Sequence, residues 1–393
     1  MSAVTMISPD EQHAAPAARP RLLNRALVLF FISTFGASAS FYLLLSAVPL
    51  YADSSGADGA GAGLATGALM FATVAAELAT ARLLARFGYR LVFAVGLLLL
   101  GAPALVLAVS SSLVAIVAVC LVRGLGFAIT AVVGSALVAS LVPSERRGEG
   151  LGLYGIVVGV PSIVGLPLGV WLAGHAGYPP VFVAGAVTAL AGLLVAAGLP
   201  GRQPETEAPV GILAGLRRPA LLRPSTAFLA TAMAAGVVVT FLPLAVTRSA
   251  GNLAAAALLA QAAAATVTRW WAGRHGDRHG PAALLVPGIL ATALGMLALV
   301  LTGSPVAVLL GMVVFGAGFG VAQNASLALM LDRVPSSGYG TVSAVWNLAF
   351  DTGLGLGAAG AGVLAGQTGY PITFALTALV VMVAVLPARQ SSR

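Results

Sequence analysis

The sequence predicts an all-α membrane protein with twelve transmembrane helices in two six-helix bundles, related by a parallel pseudo-twofold repeat. Of its 393 residues, 59% are hydrophobic and only 8% are charged, whereas a soluble domain carries about 25% charged residues. Long unbroken apolar runs, such as 91–110 and 281–302, match the roughly 20 residues that a helix needs to cross a bilayer. Local sequence patterns also recur at one fixed spacing along the chain.

Polar or Gly/Pro-rich segments divide the apolar runs into twelve predicted spans. In chain order these are 26–50, 62–84, 91–109, 113–141, 150–173, 180–199, 225–247, 253–272, 282–302, 305–330, 339–366 and 371–387.

The spans predict two bundles with tails and a linker outside the membrane. Residues 24–199 are predicted to form the N-terminal bundle and residues 225–387 the C-terminal bundle. The long polar segment 200–224 is the predicted cytoplasmic linker. Residues 1–23, which are polar and rich in Pro and Ala, are predicted to be a cytoplasmic tail rather than a cleaved signal peptide, and 388–393 a second cytoplasmic tail.

Charge placement predicts the orientation. The net charge is +8, and all twenty basic residues are Arg. With the N-terminus inside, all but Arg123 and Arg248 fall in cytoplasmic loops or at cytoplasmic helix ends, as the positive-inside rule requires. The Arg-only, Ala- and Gly-rich composition is compatible with a GC-rich bacterial genome. We therefore expect a multi-pass protein of the bacterial plasma (inner) membrane with both termini in the cytoplasm.

The composition argues against other classes of protein. The positive charge lies in short loops between apolar runs, so it indicates topology rather than nucleic-acid binding. The glycine-rich stretches lack the lysine of a phosphate-binding loop, because the chain contains no Lys. The single Cys120 and four His residues in the tail and loops argue against a metal site, and no catalytic constellation is present. We expect no cofactor, no metal and no enzymatic activity.

Three junctions establish an internal repeat. Val-Pro-Ser begins at Val142 and again at Val334, so the offset is 334 − 142 = 192. Gly-Tyr-Pro begins at Gly177 and Gly369, at the same offset, and a basic turn follows both the second and the eighth span. Six spans is an even number, so both copies keep the same orientation. Such a parallel repeat suits a central pathway between two bundles that rock against each other.

The basic turns carry a family resemblance. The second reads Gly-Arg-His-Gly-Asp-Arg-His-Gly over 273–280, and the first reads Ala-Arg-Leu-Leu-Ala-Arg-Phe-Gly-Tyr-Arg over 81–90. Together with six plus six spans and a long central linker, they resemble the major facilitator superfamily. In that family this turn is a gating loop, although Ala85 replaces the acidic residue of the first copy. The resemblance assigns gating roles to Arg86, Gly88, Arg90, Gly273, Asp277, Arg278 and Gly280.

Two further patterns resemble the proton-coupled drug and metabolite antiporters of that superfamily, the multidrug-efflux type. Arg123-Gly124 in the fourth span is similar to their intramembrane Arg motif. The fifth span is similar to their Gly/Pro-rich antiporter helix, although Leu166 splits its Gly-Pro pair. The residues that carry this second similarity are Gly155, Gly159, Pro161, Gly165, Pro167 and Gly169.

Three intramembrane charges are candidates for proton coupling or substrate binding, because each costs at least about 2.5 kcal/mol to insert. Arg123 lies about ten residues into its span and is predicted to pair with a coupling carboxylate or an anionic substrate group. Asp351 lies near mid-depth, where a carboxyl exposed to alternate sides can carry a proton. Glu77 is equivalent in the repeat to Arg269, so the two are predicted to meet or alternate at the bundle interface. For each charge, a purely structural role remains open.

Uncharged polar residues within the spans are candidates for lining the cavity, and interhelical hydrogen bonds are the alternative. They are Gln261, Gln323, Asn324 and Asn347.

The predicted function is secondary active transport, with proton-coupled efflux of a small organic or drug-like molecule by alternating access. The alternative is a proton-coupled uptake symporter or facilitator for a polar metabolite on the same scaffold. The expected partners are a small-molecule substrate, protons and the lipid bilayer. We expect a monomer that binds no nucleic acid.

Overall fold

The computed structural model describes residues 24–141, 147–196, 198–199, 217–246, 252–334 and 339–391. These residues form twelve helices that cross the molecule and a short thirteenth. Their bounds are α1 Arg25–Ala52, α2 Asp58–Phe87, α3 Tyr89–Gly101, α4 Leu113–Leu141, α5 Arg147–Ala176, α6 Tyr178–Ala196, α7 Pro219–Val246, α8 Leu253–His279, α9 Ala282–Ala298, α10 Pro305–Leu331, α11 Tyr339–Thr368, α12 Tyr370–Val383 and α13 Val385–Ser391.

Length and apolar character qualify nine segments of the described chain as membrane spans. One of them, Arg25–Thr80, joins α1 and α2 through the π-helical turn Asp53–Ala57. Helix α9 is apolar but short, and α8 carries three Arg residues along its second half. The arrangement is the predicted twelve-helix, two-bundle membrane fold.

Several helices extend beyond the predicted spans. Helix α8 continues to His279, seven residues past the predicted end, and Gly280 ends it by donating its N–H to the Gly276 carbonyl. Helix α7 begins at Pro219, so residues 219–224 of the predicted linker are helical. Residues 388–391 of the predicted C-terminal tail belong to α13. Apolarity marks the lipid-facing length of a helix, whereas its polar ends continue as long as their backbone groups pair.

Successive helices run in opposite directions, so their ends gather on two faces. We call the face that holds Arg25 and Phe87 the terminal face, and the face that holds Ala52 and Leu113 the opposite face. Within the N-terminal bundle α1 packs on α5 and α6, and α2 packs on α4; within the C-terminal bundle α7 packs on α11, and α8 and α9 pack on α10. The predicted tail 1–23 and linker residues 200–216 lie outside the described residues.

The repeat is visible in the backbone. Four of the five glycines with positive φ occupy equivalent turns: Gly88 (φ 77°) with Gly280 (φ 84°), and Gly177 (φ 80°) with Gly369 (φ 78°), each pair 192 apart (280 − 88 = 192; 369 − 177 = 192). A side chain disfavours this backbone region. Each glycine therefore allows the reversal between one helix and the next at the same place in both halves.

Candidate functional site

Helices α2 and α11 form the most extensive contact between the two bundles. Near the opposite face, a side chain at Gly63 would overlap the Ala358 carbonyl and would come within 2.9 Å of the Gly362 Cα. One turn further in, a Cβ at Gly67 would lie 2.9 Å from the Ala359 Cβ. The two backbones can approach this closely only because small residues line both helices. We call this contact the α2–α11 seam.

A hydrogen bond reinforces the seam across the bundles. The Thr66 hydroxyl on α2 and the Thr240 hydroxyl on α7 lie 3.1 Å apart, and both side chains are fully or almost fully buried. On the opposite face, therefore, the N-terminal bundle is closed against α7 as well as α11.

A pair of carboxyl groups ends the seam on its terminal side. The side chains of Glu77 on α2 and Asp351 on α11 lie within hydrogen-bonding distance of each other. Asp351 is 5% exposed and Glu77 is partly buried. Two carboxyl groups can form a hydrogen bond only when one of them carries a proton, because an ionised carboxylate has no donor. The structure thus brings together two of the three charges that the sequence singled out, one from each bundle.

Tyr42 of α1 and Arg269 of α8 complete a polar cluster at this depth. The Tyr42 hydroxyl lies close enough to both Arg269 and Asp351 to interact with their charges. Glu77 contacts Asp351 rather than Arg269, with which the sequence had paired it. The reason is geometric: Glu77 and Arg269 occupy equivalent positions in the repeat, so the pseudo-twofold axis relates them, whereas α11 is the neighbour of α2 across the bundle interface.

The antiporter-like helix α5 borders the same region. Its Gly165 packs against Tyr42 of α1, where a Cβ would lie 2.9 Å from the Tyr42 Cβ, and Gly169 packs against Leu43. In contrast, no neighbouring atom of the described chain lies within 4 Å of the place where a Cβ of Gly155 or Gly159 would be. Helix α5 continues through Pro161 and Pro167. One part of the helix is therefore fixed to α1, and the other borders open space.

Arg123 lies within the N-terminal bundle and is 1% exposed. Its guanidinium donates to the Leu100 carbonyl of α3 and, at 3.2 Å, to the Ser40 carbonyl of α1. Helix α3 tightens to a 3₁₀ helix over Ala102–Ala108. In that geometry the Leu100 carbonyl would pair with residue 103, which is a proline without an N–H. Arg123 thus supplies a donor to a carbonyl at the change of helix geometry in α3.

The uncharged candidates lie in the C-terminal bundle with different surroundings. Gln261 is 8% exposed, and Gly316 of α10 packs against its backbone. The Gln323 Oε1 is buried and has no hydrogen-bond partner among the described residues. Asn324 approaches Gly273 of α8, whereas Asn347 of α11 is exposed.

The predicted gating-loop residues lie at helix ends rather than in extended loops. Gly88 and Gly280 are the turn residues with positive φ, Arg86 belongs to the last turn of α2, and Arg90 to the first turn of α3. Gly273, Asp277 and Arg278 belong to the last turns of α8. Arg86, Arg90 and Arg278 are exposed; the side chains of Ala85 and Asp277 lie outside the described part of the structure.

Comparison with known proteins identifies the family. The model of the Major Facilitator Superfamily matches residues 30–358, which is most of the chain. The chain belongs to the major facilitator superfamily. A search of curated proteins gives no significant match.

Solved structures of transporters from this superfamily share the fold. The nucleoside transporter NupG aligns with a TM-score of 0.74 at 16% identity, covering 94% of this chain and 99% of its own. A bacterial homologue of the human lysosomal transporter Spinster, inward-facing and occupied, aligns with a TM-score of 0.78 at 14% identity, covering 93% and 96%. A POT family transporter in complex with a thioalcohol-conjugated peptide aligns with a TM-score of 0.75 at 12% identity, covering 92% and 95%.

As a superfamily member, the chain is a multi-pass secondary transporter of small molecules and not an enzyme. Sequence reasoning did not identify Tyr42 or the Thr66–Thr240 hydrogen bond as parts of the bundle interface. Tyr and Thr are common in membrane helices, so residue type alone gave no signal. Applied to helix pairs, the repeat offset would have indicated that α2–α11 has a counterpart in α5–α8.

Proposed function

We propose that this superfamily member is a proton-coupled exporter of small organic molecules, and that Glu77 and Asp351 together carry the proton. The contact between these two carboxyl groups is the observation that supports the proposal. It joins the two bundles, which must separate for the opposite face to open. It also contains a proton whenever the two groups are hydrogen-bonded to each other.

The physical link between the proton and the conformation follows from charge. With one proton shared, the pair is a hydrogen bond that adds to the α2–α11 seam. When that proton leaves, two carboxylates remain side by side and repel each other, which favours separation of α2 from α11. Proton exchange at the pair is thereby coupled to the opening and closing of the opposite face.

The position of the pair fits exchange from the terminal face. Glu77 lies ten residues before the end of α2, about 15 Å from that face at 1.5 Å per residue. Gly155 and Gly159, also on the terminal side of the molecule, border open space. Following the charge distribution, we propose that the terminal face is cytoplasmic and that the protein acts in the plasma membrane of a bacterium. The whole cluster comes from one chain, which supports a monomeric transporter.

The direction of transport is proposed from helix α5. Its Gly/Pro-rich sequence resembles the antiporter helix of the efflux transporters, and it packs through Gly165 and Gly169 onto α1, which carries Tyr42. The alternative is proton-coupled uptake of a polar metabolite. The fold is similar to that of the nucleoside transporter NupG, so uptake is tested alongside export.

The substrate is to be found by screening. Cells without their own efflux pumps, with and without this protein, are exposed to a panel of organic compounds, and intracellular accumulation is measured. A compound that accumulates less in expressing cells is then tested with purified protein in proteoliposomes that contain a pH-sensitive dye. Coupled export predicts proton movement in the direction opposite to the substrate. Movement in the same direction would establish the uptake alternative.

The role of the carboxyl pair is tested in the same proteoliposomes. Asp351→Asn is expected to abolish gradient-driven transport, because the amide does not titrate, while substrate binding persists. Asp332→Asn is the matched control, since Asp332 is an exposed carboxyl at the end of α10. Normal proton-coupled transport by Asp351→Asn would remove the pair from the mechanism.

A further inference from the structure

The second contact between the bundles, α5 with α8, is equivalent in the repeat to the α2–α11 seam. Its residues at the positions of the carboxyl pair differ in charge and size. Glu77 corresponds to Arg269 (77 + 192 = 269), and Asp351 corresponds to Gly159 (351 − 192 = 159). Where one contact has two acids facing each other, the other has a guanidinium and a residue without a side chain.

Arg269 lies on the inner side of α8. It shares a stripe of the helix with Ala265 and Ala272, which are 4% and 0% exposed, because residues three and four apart lie on one face. The outer side carries Trp270 and Trp271, which are 63% and 47% exposed. Tyr42 lies near Arg269 on the inner side. The Arg269 side chain is exposed on this inner side, so its charge faces the space between the bundles rather than lipid.

No acid of the described chain neutralises Arg269. Glu77 and Asp351 lie within hydrogen-bonding distance of each other, and the group that interacts with the Arg269 guanidinium is the Tyr42 hydroxyl. A cation at this depth in a membrane protein requires a partner or a wet cavity. The described part of the chain supplies the cation at an exposed position but no acidic partner for it.

Space for a partner lies next to Gly159. Among the described residues, no neighbouring atom lies within 4 Å of a Cβ at Gly159 or at Gly155, one turn away. Both glycines lie on the face of α5 that also carries Leu166. Leu166 is 6% exposed, and its carbonyl accepts a hydrogen bond from the Ser46 hydroxyl of α1. This side of the helix faces the interior of the protein. If the two contacts carried the same residues, an aspartate equivalent to Asp351 would stand at position 159.

We propose that Arg269, Tyr42 and the gap at Gly159 form a binding site for an anionic group, so that the transported substrate is an organic anion carrying a carboxylate or phosphate. The inference deepens the proposed function and rests on it. Arg269 offers planar paired N–H donors that match such a group, and the Tyr42 hydroxyl can donate a further hydrogen bond. The carboxyl pair binds the proton, and the α5–α8 contact binds the charged group of the substrate.

Binding of matched probes tests the charge requirement. The purified full-length protein in phosphatidylcholine nanodiscs is titrated with 2-naphthoate and with its uncharged isostere 2-naphthamide by calorimetry. We expect 2-naphthoate to bind at least tenfold more tightly. Equal binding of the two probes, or no binding of 2-naphthoate at millimolar concentration, would overturn the proposal.

Variants locate the site. Arg269→Gln is expected to weaken 2-naphthoate at least tenfold, whereas Arg274→Gln should stay within twofold, because the Arg274 guanidinium stacks on Trp270 (4.7 Å) on the outer side of the same helix. Gly159→Leu fills the gap without a change of charge and should also weaken binding tenfold. Its control is Gly174→Leu, which enters open space at the opposite end of α5. Unchanged binding by Gly159→Leu would contradict the site even if Arg269→Gln fails to fold.

Two further arms separate sources and hypotheses. The first arm adds phosphatidylglycerol to the nanodisc. If this lipid displaces 2-naphthoate from the wild type but does not affect residual binding to Arg269→Gln, a lipid headgroup supplies the anionic group. If it does not displace 2-naphthoate in this way, a soluble molecule supplies the anionic group. If Asp351→Asn binds 2-naphthoate and also keeps coupled transport, the proposed proton role fails while the anion site stands.

Discussion

Among single residues, Arg123 has surroundings that favour a structural role. It is almost fully buried and donates to two backbone carbonyls, from Leu100 and Ser40, and the residues around it include Cys120 but no carboxylate of the described chain. The sequence motif indicated a coupling or substrate residue. The position of Arg123 instead ties α4 to α1 and α3 where Pro103 interrupts the hydrogen bonding of α3.

Replacing Arg123 is therefore expected to lower the stability of the folded protein in the first place, rather than its transport activity. Arg123→Met removes the buried hydrogen bonds to both carbonyls, and a hydrogen bond from a charged group contributes about 1.5–3 kcal/mol. Thermal unfolding of the purified protein should occur at a lower temperature, with Arg123→Lys intermediate because a single ammonium does not reproduce the fork of donors. Wild-type stability together with lost transport would show instead that Arg123 acts in coupling.

Glu77 and Asp351 are expected to act as one unit. Glu77→Gln and Asp351→Asn each keep a hydrogen-bond donor in the pair and should fold normally, yet each removes the shared titration. The double variant should therefore be no worse than either single variant in gradient-driven transport, since residues that act together are non-additive. Transport rates of the three variants in proteoliposomes check this. Multiplicative losses would mean that the two carboxyls act separately.

Among the helices, α2 and α11 determine which face is closed. Their glycines bring the two backbones together on the opposite face, so added volume on one of them must force the seam apart. Gly63→Val places a side chain against the Ala358 carbonyl, whereas Gly360→Val on α11 enters open space. The two variants have the same change in helix propensity and differ only in what the new side chain meets.

Gly63→Val is expected to populate a state that is open at the opposite face, and Gly360→Val is not. Accessibility of a cysteine introduced at Thr66, measured with a membrane-impermeant maleimide in each background, distinguishes the states. Labelling should increase several-fold in Gly63→Val only. An equal increase in both variants would mean that the effect comes from helix destabilisation rather than from the seam.

The elements also show what sequence reasoning can reach. Apolar runs predicted every crossing helix, and the 192-residue offset predicted the equivalence of the two halves, because both follow from composition and local pattern. The helix ends were less predictable, as α8 shows, since polar residues near a face can be helical or not. Contacts between the bundles, such as that of Glu77 with Asp351, depend on how α2 packs against α11. Local sequence patterns do not predict this packing.

For the whole molecule, the cross-bundle contacts imply that transport requires the two halves to separate at the opposite face. The distance between the Thr66 and Thr240 hydroxyls reports on that separation, because the two side chains come from different bundles. In the conformation described they lie 3.1 Å apart. In the open state the two hydroxyls must move apart. A covalent link between these positions would hold the protein in the conformation described.

The variant Thr66→Cys/Thr240→Cys, made in a Cys120→Ala background, is expected to crosslink on oxidation. Transport should stop when the disulfide forms and resume after reduction, while either single cysteine variant is insensitive to oxidant. Substrate efflux from cells or proteoliposomes, before and after a reducing agent, is the measurement. Full transport by the oxidised, crosslinked protein would contradict alternating access through this contact.

The carbonyl partners of Arg123 also bear on how the protein is made. Ser40 and Leu100 both precede Arg123 in the chain, so α1 and α3 have already been synthesised when α4 leaves the ribosome. An Arg at the centre of an isolated helix costs about 2.5–3.5 kcal/mol to insert, and these earlier helices can relieve that cost at once. In the second half, Phe315 stands at the equivalent position (123 + 192 = 315). Biosynthesis of the N-terminal bundle is thus expected to depend on the order in which its helices enter the membrane, whereas that of the C-terminal bundle has no such requirement at this position.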